Sequence, residues 1–295
     1  MIMDGIIVID KPPGKTSHDM VYFVRRLTGI KKVGHTGTLD PAATGVLPVC
    51  IGRATKVCDM LTNADKAYRV SFVLGMTTDT LDAEGEVLTD QPVTATREEI
   101  AQAVQSFLGE IVQIPPMYSA VKVNGKKLYE LARSGISVER KERRVTIKDI
   151  DILDIDMESF TVIIDVECSK GTYIRTLCDD IGMKLGCGAF VSKLQRRKSG
   201  IFDIKNSYTI EELMRIKEEN RLSECIMPVD SLFLEYPEVV VDEKDEKKVR
   251  NGMRVPCNHL CDGKMYRIYS EKGEFLALSK AQSGQLVLEK AFWNR

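Results

Sequence analysis

The segment KKVGHTGTLDPAATGVLPVCIGRATK (31–56) is the part of the chain richest in turn-forming residues. Glycine, proline and threonine surround one histidine, His35, and one aspartate, Asp40. Because this segment lies between a helical and a strand-like pattern, it predicts a loop held in one defined shape. It contains neither GxxxxGK[ST] nor GxGxxG, so it is not a common phosphate-binding or dinucleotide-binding loop. The residues alone also allow a purely structural loop, in which Asp40 caps a turn before Pro41.

The sequence before this segment predicts a strand, a turn and a helix. GIIVIDK (5–11) has the apolar pattern of a buried strand, and KPPGKTS (11–17) is a turn. After Ser17, apolar residues recur at helical spacing as far as Leu27, and Gly29 is placed to end the helix.

The rest of the chain mixes strands and helices without regular βαβ alternation. AYRVSFVLG (67–75), VTIKDIDILDI (145–155) and FTVIIDVEC (160–168) predict strands, TYIRTLCDDIGMKLG (172–186) predicts a helix, and Thr96 and Thr209 begin capping boxes. Short strands with glycine turns follow a boundary near 232–238. We therefore expect an α+β catalytic domain over 1–234 with a largely antiparallel mixed sheet, and a small β-rich domain over 235–295.

Length and composition exclude several classes of protein. The 295 residues suggest about two domains, and 43% hydrophobic with 29% charged residues is ordinary globular composition. No apolar run approaches the ~20 residues of a membrane span, and the N-terminus does not read as a secretory signal, so we expect a soluble cytoplasmic protein. Eight scattered cysteines favour a reduced compartment. Cys257 and Cys261 could form half a zinc site, but no second Cys/His pair lies nearby in sequence, and we expect no metal.

Charge is distributed unevenly, although the net charge is only −1. Residues 119–148 hold nine Lys or Arg against three acidic residues, whereas 149–167 hold seven acidic residues and no base, and 203–246 are strongly acidic. Segregated basic residues fit an anionic partner bound on one face, although a solvated surface would look the same.

Six blocks, in order, resemble the TruB family of tRNA pseudouridine synthases, and together they span roughly residues 5–235. They are KPPGKTSHDMV (11–21), GHTGTLDPAATGVL (34–47), KAYRV (66–70), IPPMYSAVKVNGKKLYELARSG (114–135), SKGTYIRTL (169–177) and KLQRRKSG (193–200). The resemblance implies the pseudouridine synthase fold and isomerisation of uridine 55 in the tRNA T-loop to pseudouridine, without metal or redox cofactor. The glycosidic bond breaks, the uracil turns, and its carbon 5 joins the ribose.

The resemblance also implies roles for individual residues. Asp40 matches the nucleophile, Arg175 its cationic partner, and Tyr68 the tyrosine that stacks on the flipped base. The remaining matches are His35, which supports the flipped base in the T-loop; Tyr173 and Leu194, which line the nucleotide pocket; and Lys11 and Pro12, which support the catalytic loop. An Arg beside a carboxylate favours its ionised form, and a flipped base needs an aromatic face to stack on.

The basic segment matches a mobile insertion, about 117–148, that clamps the T-loop in this family. Its candidate RNA-backbone contacts are Lys122, Lys126, Lys127, Arg143 and Arg144. Lysine and arginine suit the phosphates and unstacked bases of an RNA hairpin. The module at 235–295 resembles, more weakly, the PUA-like RNA-binding domains of such enzymes.

Two other functions stay open from the sequence. One is a guide-RNA-directed synthase of the same superfamily, which is disfavoured because those enzymes carry larger terminal extensions than the four residues before Gly5. The other is a tRNA-folding chaperone with little catalysis, against which the intact Asp40, Tyr68 and Arg175 argue. We expect tRNA as the partner, no obligate protein partner, and a monomer.

Overall fold

The computed structural model describes residues 4–123, 125–257 and 259–293. The strands are β1 (Gly5–Lys11), β2 (Val33–His35), β3 (Thr44–Ile51), β4 (Lys66–Leu74), β5 (Met76–Thr78), β6 (Val87–Asp90), β7 (Gly109–Gln113), β8 (Lys122–Val123), β9 (Lys126–Lys127), β10 (Arg143–Asp156), β11 (Thr161–Cys168), β12 (Ala189–Ser199), β13 (Phe202–Asp203), β14 (Glu238–Val241), β15 (Val255–Pro256), β16 (Met265–Ser270), β17 (Phe275–Gln282) and β18 (Gln285–Ala291). The α-helices are α1 (Ser17–Thr28), α2 (Cys58–Thr62), α3 (Arg97–Gln105), α4 (Leu128–Arg133), α5 (Ile174–Lys184), α6 (Ile210–Glu218) and α7 (Glu243–Arg250). Within these ranges, no helix has the length and apolar character needed to cross a membrane.

The main sheet has nine strands, drawn from the described residues between 5 and 203. Its order is β1-β3-β12-β4-β11-β10-β7, with β2 paired to β3 and β13 paired to β12. The pairs are antiparallel except β12 with β3, which run parallel where Gln195 faces Thr44 and Arg196 faces Gly45. The predicted α+β class with a largely antiparallel mixed sheet is therefore confirmed.

The predicted elements form close to their expected positions. The strand patterns became β1, β4, β10 and β11, and the helix predicted over 172–186 is α5, which begins two residues later. Thr16, rather than Ser17, caps α1: its hydroxyl accepts from the Asp19 amide, and the Asp19 carboxylate accepts from the Thr16 amide. Thr96 and Thr209 form the predicted capping boxes of α3 and α6. Because these signals are local, they could be read from sequence.

Two apolar cores flank the main sheet and meet at a seam. One core packs α3 and α5 against β4, β10, β11 and β12, and the other packs α1 and α6 against β1 and β3. Tyr68 and Leu194 are half-buried and contact both cores. The seam therefore places two of the predicted substrate-binding residues side by side.

A second sheet, with the order β14-β16-β17-β18-β15, forms the C-terminal part of the chain. It shares a third apolar core with the main sheet, in which Phe233, Phe275 and Phe292 pack near Ile6. Arg53 adds an ion pair at 2.8 Å to Glu274 of the C-terminal part. The division at residues 234 and 235 stays a prediction, but the two parts are joined by a packed interface.

Candidate active site

A pocket of about 390 Å³ opens at the seam between the two cores. It is lined by five of the predicted site residues: Asp40, Tyr68, Tyr173, Arg175 and Leu194. The volume lies within the range of small-molecule sites. A larger cavity, of about 760 Å³, lies between the main sheet and the C-terminal sheet and contains none of these residues. These five predicted site residues therefore meet at the smaller pocket and not at the larger cavity.

Asp40 and Arg175 form an ion pair at the floor of this pocket. Arg175 Nε lies 3.0 Å from Asp40 Oδ2, and the arginine side chain is only 6% exposed. Among the described residues, the other carboxylate oxygen of Asp40, Oδ1, has no hydrogen-bond partner. One oxygen is thus held in place while the other is available to a reactant.

Arg175 uses its remaining donors to fix itself from three sides. Its Nη1 donates to the carbonyl of Thr80 at 2.7 Å and to the carboxylate of Asp82 at 3.3 Å. Its Nη2 donates to the carbonyl of Tyr118 at 2.7 Å, at the start of the basic insertion. An arginine on a helix is usually exposed, but this one is a buried centre of the site.

The environment of Asp40 shifts its proton affinity. Burial raises the pKa of Asp40 above its ordinary value; Arg175 opposes this rise, Asp82 adds to it, and Lys11 lowers the pKa. The sequence predicted that the arginine would keep the carboxylate ionised. The structure shows that effect, but burial outweighs it. Asp40 therefore needs a higher pH to ionise than an exposed aspartate does.

Asp82 is a residue that the sequence analysis missed. Its Oδ1 accepts from Thr80 Oγ1 at 2.6 Å and from the Glu84 amide at 3.1 Å, so the side chain is oriented before it meets Arg175. Leu81, between Thr80 and Asp82, has a positive φ of 63°, which is rare for leucine. Nothing in the local pattern distinguishes Asp82 from an ordinary turn aspartate.

The residues before Asp40 are held by a second buried arginine, Arg196, which the sequence analysis also missed. Arg196 is 1% exposed and donates to the carbonyls of Gly37, Thr38 and Val46. Gly45 makes this approach possible: its φ is +102°, and a Cβ there would lie 2.2 Å from the Arg196 carbonyl oxygen. Arg196, on β12, thus holds the backbone on either side of Asp40 in place through these hydrogen bonds.

Lys11 also stabilises the loop that contains Asp40. The side chain is fully buried, and its Nζ donates to the carbonyls of Pro12, Lys15 and Pro41. Burial lowers the pKa of Lys11 to about 8. Neither Lys11 nor Pro12 lines the pocket, so both lie where a supporting role is expected.

Ser17 fixes the residue next to Asp40. Its hydroxyl accepts from the Leu39 amide at 2.8 Å and donates to the Leu39 carbonyl at 3.2 Å. Leu39 itself is buried in the core behind the loop. With the arginine and lysine contacts above, Ser17 leaves the Asp40 backbone little freedom.

Tyr68 stands opposite Arg196 in the pairing of β4 with β12. Burial raises the pKa of the Tyr68 phenol, and the neighbouring guanidinium of Arg196 opposes that rise. The phenol therefore stays neutral near pH 7 and presents an aromatic face to the pocket beside Leu194. A neutral aromatic ring is suited to stack on a nucleobase.

Tyr173 is positioned through its backbone. The side-chain amide of Gln113, which is 1% exposed, accepts from the Tyr173 N–H at 3.0 Å and donates to the Tyr173 carbonyl at 3.2 Å. The Arg143 guanidinium lies 5.2 Å from the centre of the Tyr173 ring. A residue of the predicted RNA clamp therefore touches the wall of the pocket.

His35 lies outside the residues that line the pocket. It ends β2, accepts from the Gly37 amide through Nδ1 at 3.3 Å, and packs edge-on against His18 at 5.9 Å. Burial lowers the pKa of His35, and the nearby His18 and Arg196 add to this effect. The structure thus separates His35 from the group around Asp40, and its contact with a flipped base stays a prediction.

The basic insertion forms a small hairpin of β8 and β9 followed by α4. Lys122 and Lys126 are exposed, whereas Lys127 bonds the Tyr129 hydroxyl at 3.2 Å. Arg144 pairs with Glu110 at 2.7 Å on the surface. The predicted phosphate contacts therefore differ in how free they are before RNA arrives.

The cysteines are free, and Cys257 is buried while Cys261 is exposed. In the described ranges, no three His, Cys, Asp or Glu side chains come together as a metal site would require.

Comparison with known proteins matches nearly the whole chain. Residues 25–174 match the family model of the TruB family pseudouridylate synthase N-terminal domain, and residues 175–234 match that of the tRNA pseudouridylate synthase B C-terminal domain. A Clostridium novyi protein named tRNA pseudouridine synthase B is 49% identical over 98% of this chain and 99% of that protein. The Alkaliphilus oremlandii protein of the same name is 49% identical over 92% of this chain and 91% of its own length.

Solved structures agree with the fold. A chain of a Cbf5–Nop10–Gar1 complex superposes with a TM-score of 0.70 at 29% identity, covering 100% of this chain and 86% of that one. A chain of the archaeal box H/ACA Nop10–Cbf5 complex gives 0.71 at 27% identity, covering 100% and 88%. The fold is therefore that of the Cbf5 pseudouridine synthases. With both family models matched in order and relatives at 49% identity over nearly the full length, this chain belongs to the TruB family of pseudouridine synthases.

Proposed function

We propose that this chain converts uridine 55 in the T-loop of tRNA to pseudouridine, without a cofactor. The observation that carries the proposal is the position of Asp40: its Oδ2 is held by Arg175, and the residue lines the same pocket as Tyr68. The relatives named tRNA pseudouridine synthase B support tRNA as the substrate.

The target uridine has to leave its stack to reach Asp40. Flipping a nucleotide costs about a few kcal/mol, and stacking on an aromatic side chain returns about 1–3 kcal/mol. Tyr68 provides that face, while Leu194 and Tyr173 form the remaining pocket walls. The pocket can therefore hold a single extruded nucleotide over the carboxylate.

The ionised carboxylate of Asp40 then acts on the nucleotide. It either attacks the base or sugar directly or starts an elimination through a glycal, and both routes need a free oxygen and a fixed orientation. Arg175 supplies the orientation and stabilises the anion. Tyr68, as a neutral phenol, is placed to carry a proton in the elimination route.

The basic insertion and the C-terminal sheet enlarge the RNA-binding surface. Exposed Lys122 and Lys126 are placed to meet phosphates, and Arg143 reaches from the insertion to the pocket wall. We assign the sheet of residues 235–295 a PUA-like RNA-binding role, adding affinity for the full tRNA. A monomeric, cytoplasmic enzyme stays the prediction from sequence.

A guide-RNA-directed synthase is the second candidate, favoured only by the superposition on Cbf5-containing complexes. The identity of 29% to those chains is well below the 49% to the tRNA enzymes. The guide-free reaction therefore fits better.

One experiment separates these functions. The full chain is incubated with an unmodified T-arm stem-loop RNA, without guide RNA, and pseudouridine is mapped at every uridine. We expect one product, at the position of uridine 55, with Asp40→Asn as the inactive control. Binding without any product would favour the chaperone, and product only with a guide RNA would favour the guided enzyme.

A further inference from the structure

One hydroxyl in the pocket wall lacks the partner that every buried polar group needs. Ser119 is 6% exposed, and its Oγ is closed off from water with no hydrogen-bond partner among the described residues. The large majority of buried side-chain polar atoms are paired in folded proteins. An unpaired hydroxyl in the wall of a substrate pocket therefore calls for an explanation.

Three serine or threonine hydroxyls of the same wall already have a hydrogen-bond partner. Thr62 donates to the Cys58 carbonyl at 2.8 Å, and Thr172 donates to the Ser169 carbonyl at 2.9 Å. The Ser169 hydroxyl accepts from the Thr146 amide at 2.9 Å. Among these four hydroxyls, that of Ser119 is thus the one without a hydrogen-bond partner in the described part of the chain.

The backbone of Ser119 is hydrogen-bonded within the basic insertion, and the residue beside it is bonded to Arg175 of α5. Its N–H donates to the Met117 carbonyl at 2.9 Å, and its carbonyl accepts from the Tyr129 amide at 3.1 Å. The preceding residue, Tyr118, accepts from Arg175 Nη2. Ser119 is therefore the neighbour, in sequence, of a residue that contacts the arginine beside Asp40.

We propose that Ser119 is a substrate-binding residue whose hydroxyl hydrogen-bonds the extruded nucleotide in the pocket. A hydroxyl both donates and accepts, so it can pair with a uracil carbonyl, the uracil imide or a ribose hydroxyl. The proposal requires the hydroxyl to turn about the Cα–Cβ bond into a staggered rotamer that directs Oγ toward the pocket that Ser119 lines. The proposal rests on the proposed function, because it needs a nucleotide over Asp40.

The test uses removal of the hydroxyl without a change of shape. Ser119→Ala is combined with Asp40→Asn, so that binding of an intact T-arm stem-loop is measured without turnover. Loss of one neutral hydrogen bond should weaken binding roughly three- to tenfold. The melting temperature of the free protein should stay equal or rise, since an unpaired buried hydroxyl is removed.

The matched control is Thr176→Val. Thr176 is also 6% exposed and its Oγ1 is also unpaired, but it does not line the pocket. The control should leave RNA affinity unchanged. If Ser119→Ala lowers the melting temperature and leaves affinity unchanged, its hydroxyl has a structural role and the proposal is wrong.

A second arm identifies which part of the nucleotide is bound. Affinities are measured again with 2′-deoxyuridine at the target position. If the two protein forms bind the 2′-deoxyuridine RNA with equal affinity but differ on the uridine RNA, the ribose 2′-hydroxyl is the partner of Ser119. If they differ in affinity on both RNAs, the base is the partner. Equal affinities on both RNAs would overturn the proposal. The proposed function is tested separately, by mapping pseudouridine in the same stem-loop after incubation with the wild-type protein. That measurement does not involve the Ser119→Ala variant.

Discussion

Arg175 lies between two carboxylates: its Nε is 3.0 Å from Asp40 Oδ2, and its Nη1 is 3.3 Å from Asp82 Oδ2. The Arg175 side chain is 6% exposed, that of Asp82 12% and that of Asp40 37%, so water screens the pair with Asp82 least. The two aspartates therefore affect each other through one shared arginine. Replacing Asp40 should therefore abolish product, whereas replacing Arg175 or Asp82 should shift the pH dependence of the rate in opposite directions.

Replacing Asp40 with Asn should abolish product while leaving the protein folded and able to bind RNA. The amide keeps the size of the side chain but is neither a nucleophile nor a base, so we expect a rate loss of at least about 10³-fold. Pseudouridine formation and stem-loop affinity are measured on the same preparation. Conversion at a near-native rate would show that Asp40 is not the nucleophile.

Replacing Arg175 with Ala should shift the acidic limb of the pH–rate profile to higher pH. Arg175 lowers the pKa of Asp40 against the effect of burial, so its removal raises that pKa further. The carboxylate then ionises about one to three pH units later. We also expect a rate about 10- to 100-fold lower at neutral pH, because a charged hydrogen bond is lost. Circular dichroism checks folding, and an unshifted limb would contradict the prediction.

Replacing Asp82 with Asn should shift the same limb in the opposite direction. Asp82 raises the pKa of Asp40, so the neutral amide lets Asp40 ionise at lower pH. The rate should fall about three- to tenfold, because Arg175 is oriented less well. The pH–rate profile is compared with those of the wild type and Arg175→Ala. Shifts of the same sign in both variants would mean that the arginine does not couple the two carboxylates.

Replacing Lys122 and Lys126 with Ala should weaken RNA binding and flatten its salt dependence. Both side chains are exposed without a side-chain partner among the described residues, whereas Arg144 is already paired with Glu110. Each lost phosphate contact lowers the slope of log affinity against log salt by about 0.7–0.9. Fluorescence titration at several salt concentrations measures the slope.

The control for the insertion variant removes two lysines elsewhere. Lys244 and Lys272 are exposed in the C-terminal part, away from the pocket. Their replacement by Ala should leave the affinity for a short stem-loop and its salt slope unchanged. An unchanged slope in the insertion variant would instead indicate that its lysines are ordinary solvated surface.

Local patterns accounted for the elements, but not for the contacts between distant segments. The apolar periodicity of 172–186 predicted α5, yet nothing in it showed that Arg175 is buried. The roles of Asp82 and Arg196 follow only from the folded structure, in which Asp82 contacts Arg175 and Arg196 contacts the backbone before Asp40. Such residues have no periodicity of their own, because their partners lie 93 to 159 positions away in the sequence.

Contacts between distant segments also explain why the sequence did not show the surroundings of His35 and Ser119. His35 lies five residues before Asp40, which suggested one site, but the loop turns so that His35 packs against His18 instead. Ser119 carries no signal in the sequence beyond its place in a block. Its unpaired hydroxyl is a property of three-dimensional packing.

Replacing Phe292 with Ala should destabilise the whole chain, not the C-terminal sheet alone. Phe292 is 2% exposed, with its ring 4.8 Å from that of Phe275 and 6.1 Å from that of Phe233. Because this core also contains residues of β1 and β3, we expect a single unfolding transition in urea, destabilised by about 3–5 kcal/mol. The control Val240→Ala, at a side chain 58% exposed, should change stability by less than about 0.5 kcal/mol. Two separate unfolding transitions would contradict this prediction if the transition at which pseudouridine formation is lost kept its wild-type midpoint. The stability of the main sheet would then not depend on this shared core.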